Sequence, residues 1–337
     1  MQQTAPLSPQ LFWDTVTGFQ RTAAIKAAVE LEIFTKIGEG RKTAAAIAGA
    51  VGAAERGVRI LCDSLTVMGF LTKENGEYDL TDASAAFLDT KSPMYIGAMV
   101  DFILSPIQLR GFEELTGAVK QGGSTITDQG SLDPDSPMWV KFARSMVGMV
   151  MPSAQAIAAN LGFDPEQKIK VLDIAAGHGI FGIVVAQHYK NAEIYAVDWA
   201  NVLQVATENA EKFGVAERHH LIEGSAFEVD FGEGYDVVLL TNFLHHFDKP
   251  TNERLLRKIH GSLNDGGKVI TLEFIPNDDR VSPPSEALFS LVMLAGTPAG
   301  DAYTFAELKE MFENSGFAKN EHIPLAPMPQ HLVVSIK

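Results

Sequence analysis

Cysteine is almost missing from this sequence: Cys62 is the only one in 337 residues. A lone thiol closes no internal disulfide, which fits a reducing compartment. Basic residues are outnumbered, 27 Lys and Arg against 42 Asp and Glu, for a formal net charge of −15. A field of that sign repels phosphate backbones and anionic headgroups, so neither nucleic acid nor a membrane surface is an expected partner. Long hydrophobic runs are also lacking. The Ala/Gly-rich stretch from Thr43 to Ala54 carries no charge, but it is shorter than the roughly 18 residues a membrane span requires. Met1 to Pro6 has neither the basic region nor the apolar core of a secretion signal. A cytoplasmic protein is expected. No tandem repeat is present, and the 46% hydrophobic content is ample for a core.

The length suggests two domains, and the texture changes accordingly, with an expected division into residues 1–105 and 106–337. The first part is mostly helical. Leu11, Val16 and Phe19, then Ala24, Ala27, Ala28, Leu31 and Phe34 recur at helical spacing. A short helix from Thr43 and a second carrying Val58, Leu61, Leu65 and Met68 precede Gly69–Thr72, an Asn75-Gly76 turn and Tyr78–Thr81. Helix, helix and hairpin in that order predict a winged helix. Its second helix mixes Arg56 and Arg59 with Glu55 and Asp63. Without a basic face, packing or dimerisation is the expected role rather than DNA binding. After a Gly/Ser/Asp-rich patch from Gly122 to Ser136, a helix follows with Trp139, Phe142, Met146, Met149 and Met151. Two readings stand for it: core, or the adaptable wall of a pocket.

From Lys168 strands alternate with helices, which predicts a doubly wound α/β domain with a parallel sheet and ligands at the carboxyl ends of its strands. Strands are expected over 169–173, 193–198, 220–223, 235–240 and 268–273, with the preceding helix of the last one closed by Asn264-Asp265-Gly266-Gly267. The strongest local signal is Asp173-Ile174-Ala175-Ala176-Gly177-His178-Gly179-Ile180-Phe181-Gly182. It follows a strand and opens a helix, as a ligand-cradling turn does. The next strand ends in Asp198, where a carboxylate accepts hydrogen bonds from ribose hydroxyls. Together these features predict an adenosine-containing ligand. Asp173 inside the turn repels a pyrophosphate but suits a cationic sulfonium and its amino group, so S-adenosyl-L-methionine leads and a nicotinamide cofactor is the runner-up.

At this point the chain resembles the small-molecule O-methyltransferases typified by plant caffeate-type enzymes and bacterial natural-product and carotenoid methyltransferases. The resemblance spans nearly the whole chain, and its most specific motif is Leu244-His245-His246-Phe247-Asp248, continuing to Asp265–Ile270 and Glu273. It implies a Rossmann-like methyltransferase domain preceded by a winged-helix dimerisation domain, a homodimer, and a small, aromatic, hydroxylated substrate. His245 takes the general-base position and Glu273 that of its supporting carboxylate. Asp173, Ala175, Gly177, Gly179, Asp198, Trp199, Ser225, Ala226, Phe227 and Thr241 fall at cofactor positions. Trp139, Phe142, Met146, Met149, Asn242, His246, Phe289, Val292 and Met293 fall on the substrate side. Three residues depart from the pattern. His246 replaces the usual Asp, Ser225 replaces an acidic contact, and Ala302 stands where the family has a second Glu, with Asp301 adjacent as a catalytic stand-in.

Proton abstraction by a neutral imidazole near pH 7 suits a phenol acceptor. A carbon or nitrogen acceptor needs no base of that kind and remains an alternative, as does a cofactor-binding protein without methyl transfer. His245 and His246 raise the question of a metal, but no further ligand cluster at metal spacing accompanies them, and none is expected. His178, His219 and His220 carry no assigned role.

Overall fold

The computed structural model describes residues 7–126 and 137–337; residues 127–136 of the Gly/Ser/Asp-rich patch lie outside them. The chain divides into two compact units, Met1–Leu104 and Ser105–Lys337.

The first unit runs α1 (Gln10–Val16), α2 (Gly18–Glu30), α3 (Ile33–Gly38), α4 (Ala44–Val51), α5 (Glu55–Val67), β1 (Leu71–Glu74), β2 (Glu77–Leu80), α6 (Asp82–Phe87) and α7 (Val100–Ile103). Helix α4 starts where the Thr43 side chain accepts from the Ala46 amide, and it stops at left-handed Gly52. Helix α5 buries Val58, Cys62 and Leu65, and its Asp63 accepts from the Tyr78 hydroxyl at 2.7 Å and from Lys73 at 2.5 Å, pinning the β1–β2 hairpin. The order of elements is that of a winged helix. Leu11, Phe12, Trp13 and Phe19 do not join this core; they are 80, 60, 55 and 68% exposed. Their helical period faces outward.

The second unit continues with α8 (Pro106–Glu113), α9 (Leu115–Gln121), α10 (Pro137–Asn160), β3 (Ile169–Ile174), α11 (Ile180–His188), β4 (Ala192–Asp198), α12 (Ala200–Lys212), β5 (His219–Glu223), β6 (Tyr235–Thr241), α13 (Lys249–Ser262), β7 (Leu263–Glu273), α14 (Pro284–Gly296), α15 (Phe305–Asn314), β8 (Lys319–Pro324) and β9 (His331–Ile336). The sheet order is β5-β4-β3-β6-β7-β9-β8. Strands β3 to β7 run parallel to one another, and apolar runs such as Val171–Leu172 and Val237–Leu240 are buried completely, as a sheet covered on both faces demands. The order reverses between β3 and β6, which opens a crevice at their carboxyl ends.

Two features differ from expectation. The sheet is mixed: β9 pairs antiparallel with β7, and β8 antiparallel with β9. No helical connector separates β8 from β9, so the alternation that announces parallel strands is missing there. Also, Asn264–Gly267 belongs to β7 rather than to a helix stop. Helix α13 ends because Leu263 turns extended (φ −78°, ψ 145°) to pair with Tyr235, and the register then shifts before Val237.

Candidate active site

The carboxyl ends of β3, β4, β6 and β7 converge on one rim. On β3, Asp173 leads into the glycine turn. A Cβ on Gly182 would lie 2.6 Å from Ile194 Cγ2 and 2.9 Å from Asp173 Oδ2. Only glycine lets α11 start this close to the sheet, and the Gly182 amide instead donates to Asp173 Oδ2 at 3.0 Å. Ala175 sits at φ 55°, a left-handed conformation that the surrounding turn imposes. Asp198 closes the turn from β4: Oδ2 accepts from the Gly177 amide at 2.8 Å and Oδ1 from the Trp199 amide at 2.7 Å. Burial pushes the Asp173 carboxyl up to about 7 and that of Asp198 up to about 6. Among the described residues nothing donates to the buried Asp173 Oδ1. Two carboxylates whose negative form is disfavoured, one with an open lone pair, fit a cationic ligand that relieves the cost. His178, in the same turn, accepts from the Ile180 amide through Nδ1.

The Ser225–Phe227 turn lies beside this loop, because the Gly224 amide donates to the Asp198 carbonyl at 2.9 Å. Ser225 Oγ accepts from the Phe227 amide, Ala226 is buried, and the Arg254 guanidinium covers the Phe227 ring at 5.5 Å. Thr241, buried, ends β6; Asn242 follows at φ 53°, with its Oδ1 accepting from Gln330 Nε2.

Beyond Asn242 a single turn of 3-10 helix, Leu244–His246, presents His245. Its ring is buried, and Nδ1 lies 2.5 Å from Glu273 Oε2. The other oxygen, Oε1, accepts from the Phe243 amide at 3.0 Å and from the His245 amide at 3.4 Å. A carboxylate only accepts, so Nδ1 carries the proton and Nε2 keeps a free lone pair. The turn is held from below: buried Asn252 donates to the Leu244 carbonyl at 2.9 Å and the Phe247 carbonyl at 3.2 Å. Tyr303 donates to the Phe247 carbonyl at 2.6 Å.

Aromatic and sulfur side chains gather against this pair. Phe289 meets the His245 ring edge-on (4.9 Å, 85°), and Trp139 meets His246 likewise (5.8 Å, 89°), with Phe142 edge-on to Trp139. The His245 and His246 rings are 4.3 Å apart. Desolvation holds His246 well below the usual imidazole range, and the neighbouring His245 adds to the effect. Trp139 and Trp199 pack on one cluster of Ala143, Val202 and Val205, which joins this wall to the Asp198 end of the site. Met146 and Met293 are buried, while Met149 and Val292 are half-buried on the same two helices, α10 and α14. Among the described residues no three metal-ligating side chains come together.

The Asp301 side chain is engaged elsewhere. Its carboxylate pairs with Arg280 at 3.1 Å, while its amide donates to the His245 carbonyl at 3.0 Å. Gly300 was not anticipated. A Cβ there would lie 2.2 Å from the His245 carbonyl oxygen, so the loop reaches the His245 turn only through glycine. Asn252, Tyr303 and Gln330 were also missed; each acts through contacts between segments far apart in sequence, and nothing in their local pattern announces them.

An O-methyltransferase domain family matches residues 135–318, and an O-methyltransferase dimerisation domain matches residues 13–90. A 3-hydroxy-5-methyl-1-naphthoate 3-O-methyltransferase from Streptomyces sahachiroi is 27% identical, covering 98% of this chain and 95% of that protein. The S-adenosyl-L-methionine-dependent methyl transferase PigF of a Serratia strain is 26% identical, covering 95% of this chain and 93% of its own length. A solved structure of PigF with SAH has a TM-score of 0.85 at 26% identity, covering 98% of this chain and 100% of that one. The crystal structure of a putative O-methyltransferase from Nostoc punctiforme is 53% identical with a TM-score of 0.94, covering 99% of this chain and 100% of that chain.

Proposed function

The chain belongs to the O-methyltransferase family, and we propose that it carries a methyl group from S-adenosyl-L-methionine to the hydroxyl of a small aromatic metabolite with His245 as general base. The observation that carries this is the 2.5 Å contact between His245 Nδ1 and Glu273 Oε2, which leaves Nε2 as the proton acceptor. The Asp173–Gly179 turn and Asp198 hold the cofactor's amino-acid and ribose portions, and the Ser225–Phe227 turn its adenine. Trp199 and Thr241 flank the same crevice. When bound, the sulfonium supplies the methyl group and keeps the C–S bonding pair as the new C–O bond forms. His245 Nε2 takes the phenol proton as its oxygen attacks, and Glu273 stabilises the resulting imidazolium. Trp139, Phe142, Met146, Met149, Asn242, His246, Phe289, Val292 and Met293 hold the flat acceptor near in-line geometry, an ordering that supplies several kcal/mol of the order seen for well-oriented reactions. Neutral His246 fits an uncharged acceptor.

Asp301, bound to Arg280, supports the His245 turn through its backbone. A homodimer is part of the proposal: the dimerisation-domain match and the exposed Leu11, Phe12, Trp13 and Phe19 support it.

The test is methyl transfer from labelled donor to a panel of 2-naphthol, catechol and 3-hydroxy-1-naphthoate, beside calorimetry with S-adenosylhomocysteine. Binding of that product analogue and formation of at least one methyl ether are expected. A protein that ignores it but binds a nicotinamide dinucleotide tightly would refute the proposal.

A further inference from the structure

Outside the residues just described, one polar chain, buried at its Glu286 end, has no part in the chemistry. Glu286, 4% exposed, stands in the first turn of α14. Its Oε1 lies 3.6 Å from His331 Nε2, and its Oε2 accepts from Ser285 Oγ. His331 Nδ1 in turn lies 2.7 Å from His322 Nε2, and Phe305 stacks on His322 at 4.9 Å. The His322–His331 contact is a hydrogen bond, and a donor on His322 Nε2 leaves the proton of His331 on Nε2, the atom that faces Glu286 across 3.6 Å, close enough for electrostatic attraction though beyond a hydrogen bond. The chain thus links α14, β9, β8 and the start of α15. Burying a carboxylate is costly without partners, so this linkage fixes where the first turn of α14 can sit.

What that turn carries is the acceptor wall. Phe289 and Met293 follow Glu286 by three and seven residues and so share its face of the helix. Met293 is buried, and Phe289 is clamped between the Phe274 ring, stacked at 4.1 Å, and the edge of His245. A rotation of α14 about its axis would move Phe289 off the His245 ring.

We propose that Glu286 is a positioning residue for the acceptor, acting through His331 and His322 to set the rotation of α14 and thereby the place of Phe289 over His245. This rests on the reading of that wall as the acceptor site. Glu286 makes no hydrogen bond to the glycine turn or to the His245–Glu273 pair, and His331 meets Glu273 only as its backbone partner in the β7–β9 ladder, so the loss of Glu286 should fall first on acceptor binding.

The experiment is a double-mutant cycle of Glu286→Ala and Phe289→Ala, read as acceptor KM, kcat and S-adenosylhomocysteine affinity with the best phenol of the panel above. Glu286→Ala should raise acceptor KM about tenfold with kcat within about threefold and product-analogue affinity unchanged. In the Phe289→Ala background the same change should raise KM less than about twofold, because the residue it acts through is gone. Glu286→Gln, which keeps an acceptor for His331, should restore most of the loss. Should Glu286→Ala fail to fold, His331→Gln in the same cycle must give the same non-additive rise. Additive effects, or a fall in product-analogue affinity, would overturn the inference while leaving the function intact. A wild-type protein that binds the analogue but methylates no phenol would instead sink the acceptor-site reading, and this inference with it.

Discussion

Replacing Glu273 by Gln exchanges one oxygen for an amide nitrogen, and the surrounding hydrogen bonds decide which one. Glu273 Oε1 accepts from two backbone amides, those of Phe243 and His245, whereas Oε2 faces only the His245 ring at 2.5 Å. A glutamine that turned its NH2 toward the backbone would set donors against two fixed donors, so its carbonyl must stay there. The NH2 then faces Nδ1, which can only accept from it, and the imidazole is forced into the tautomer with its proton on Nε2. That proton occupies the lone pair needed to deprotonate the acceptor. The variant keeps the fold, because the backbone contacts survive, yet loses the base and the carboxylate that stabilises the imidazolium. General-base assistance is worth about two to four orders of magnitude, which at about 1.36 kcal/mol per decade is about 2.7–5.4 kcal/mol. Single-turnover methyl transfer to the best phenol should therefore slow by that range, while calorimetry finds S-adenosylhomocysteine affinity unchanged. If Glu273→Gln retains more than about a tenth of wild-type kcat, the tautomer argument is wrong and acceptor positioning alone carries the reaction.

Two further outcomes follow from the site and the surface. Burial raises Asp173 to about 7 and Asp198 to about 6, so the stability their neutral forms contribute is fully present below the ordinary carboxylate value and is lost as pH rises through about 6 to 7. The cationic cofactor favours the charged forms, so its affinity should strengthen from pH 5.5 to 7.5, and Asp198→Asn should flatten that rise; calorimetry at fixed ionic strength checks both, and a pH-independent affinity in wild type would contradict them. On the first unit, Leu11→Arg with Phe19→Arg alters side chains 80% and 68% exposed, so the chain should stay folded yet elute as a monomer in sizing chromatography; an unchanged dimer would place the interface elsewhere.

Much of this molecule is readable in one dimension. Asp173, Gly177, Gly179, Gly182 and Asp198 announce themselves because a strand, a tight turn and a helix start impose local rules that only a few residue types satisfy. The apolar runs of β3 and β6 show in the sequence for the same reason, since strands covered on both faces are uniformly apolar. Hidden from it are features that depend on what arrives from far along the chain. The Leu11–Phe19 period is helical, but whether it faces a core or a partner is not encoded in its spacing. Asn264–Gly267 has the composition of a helix stop, yet pairing of Leu263 with Tyr235 draws it into β7. Asp301 stands beside the position of a missing carboxylate in sequence, but Arg280 holds its side chain away and only its amide reaches His245. Gly300, Asn252 and the Glu286–His331–His322 chain exist as functional groupings only once loops meet. The sequence by itself pointed to the class of chemistry, because the glycine turn and the histidine motif are local. Tertiary structure decided which side chains aim, brace or turn away, because those are contacts between segments that no local pattern relates.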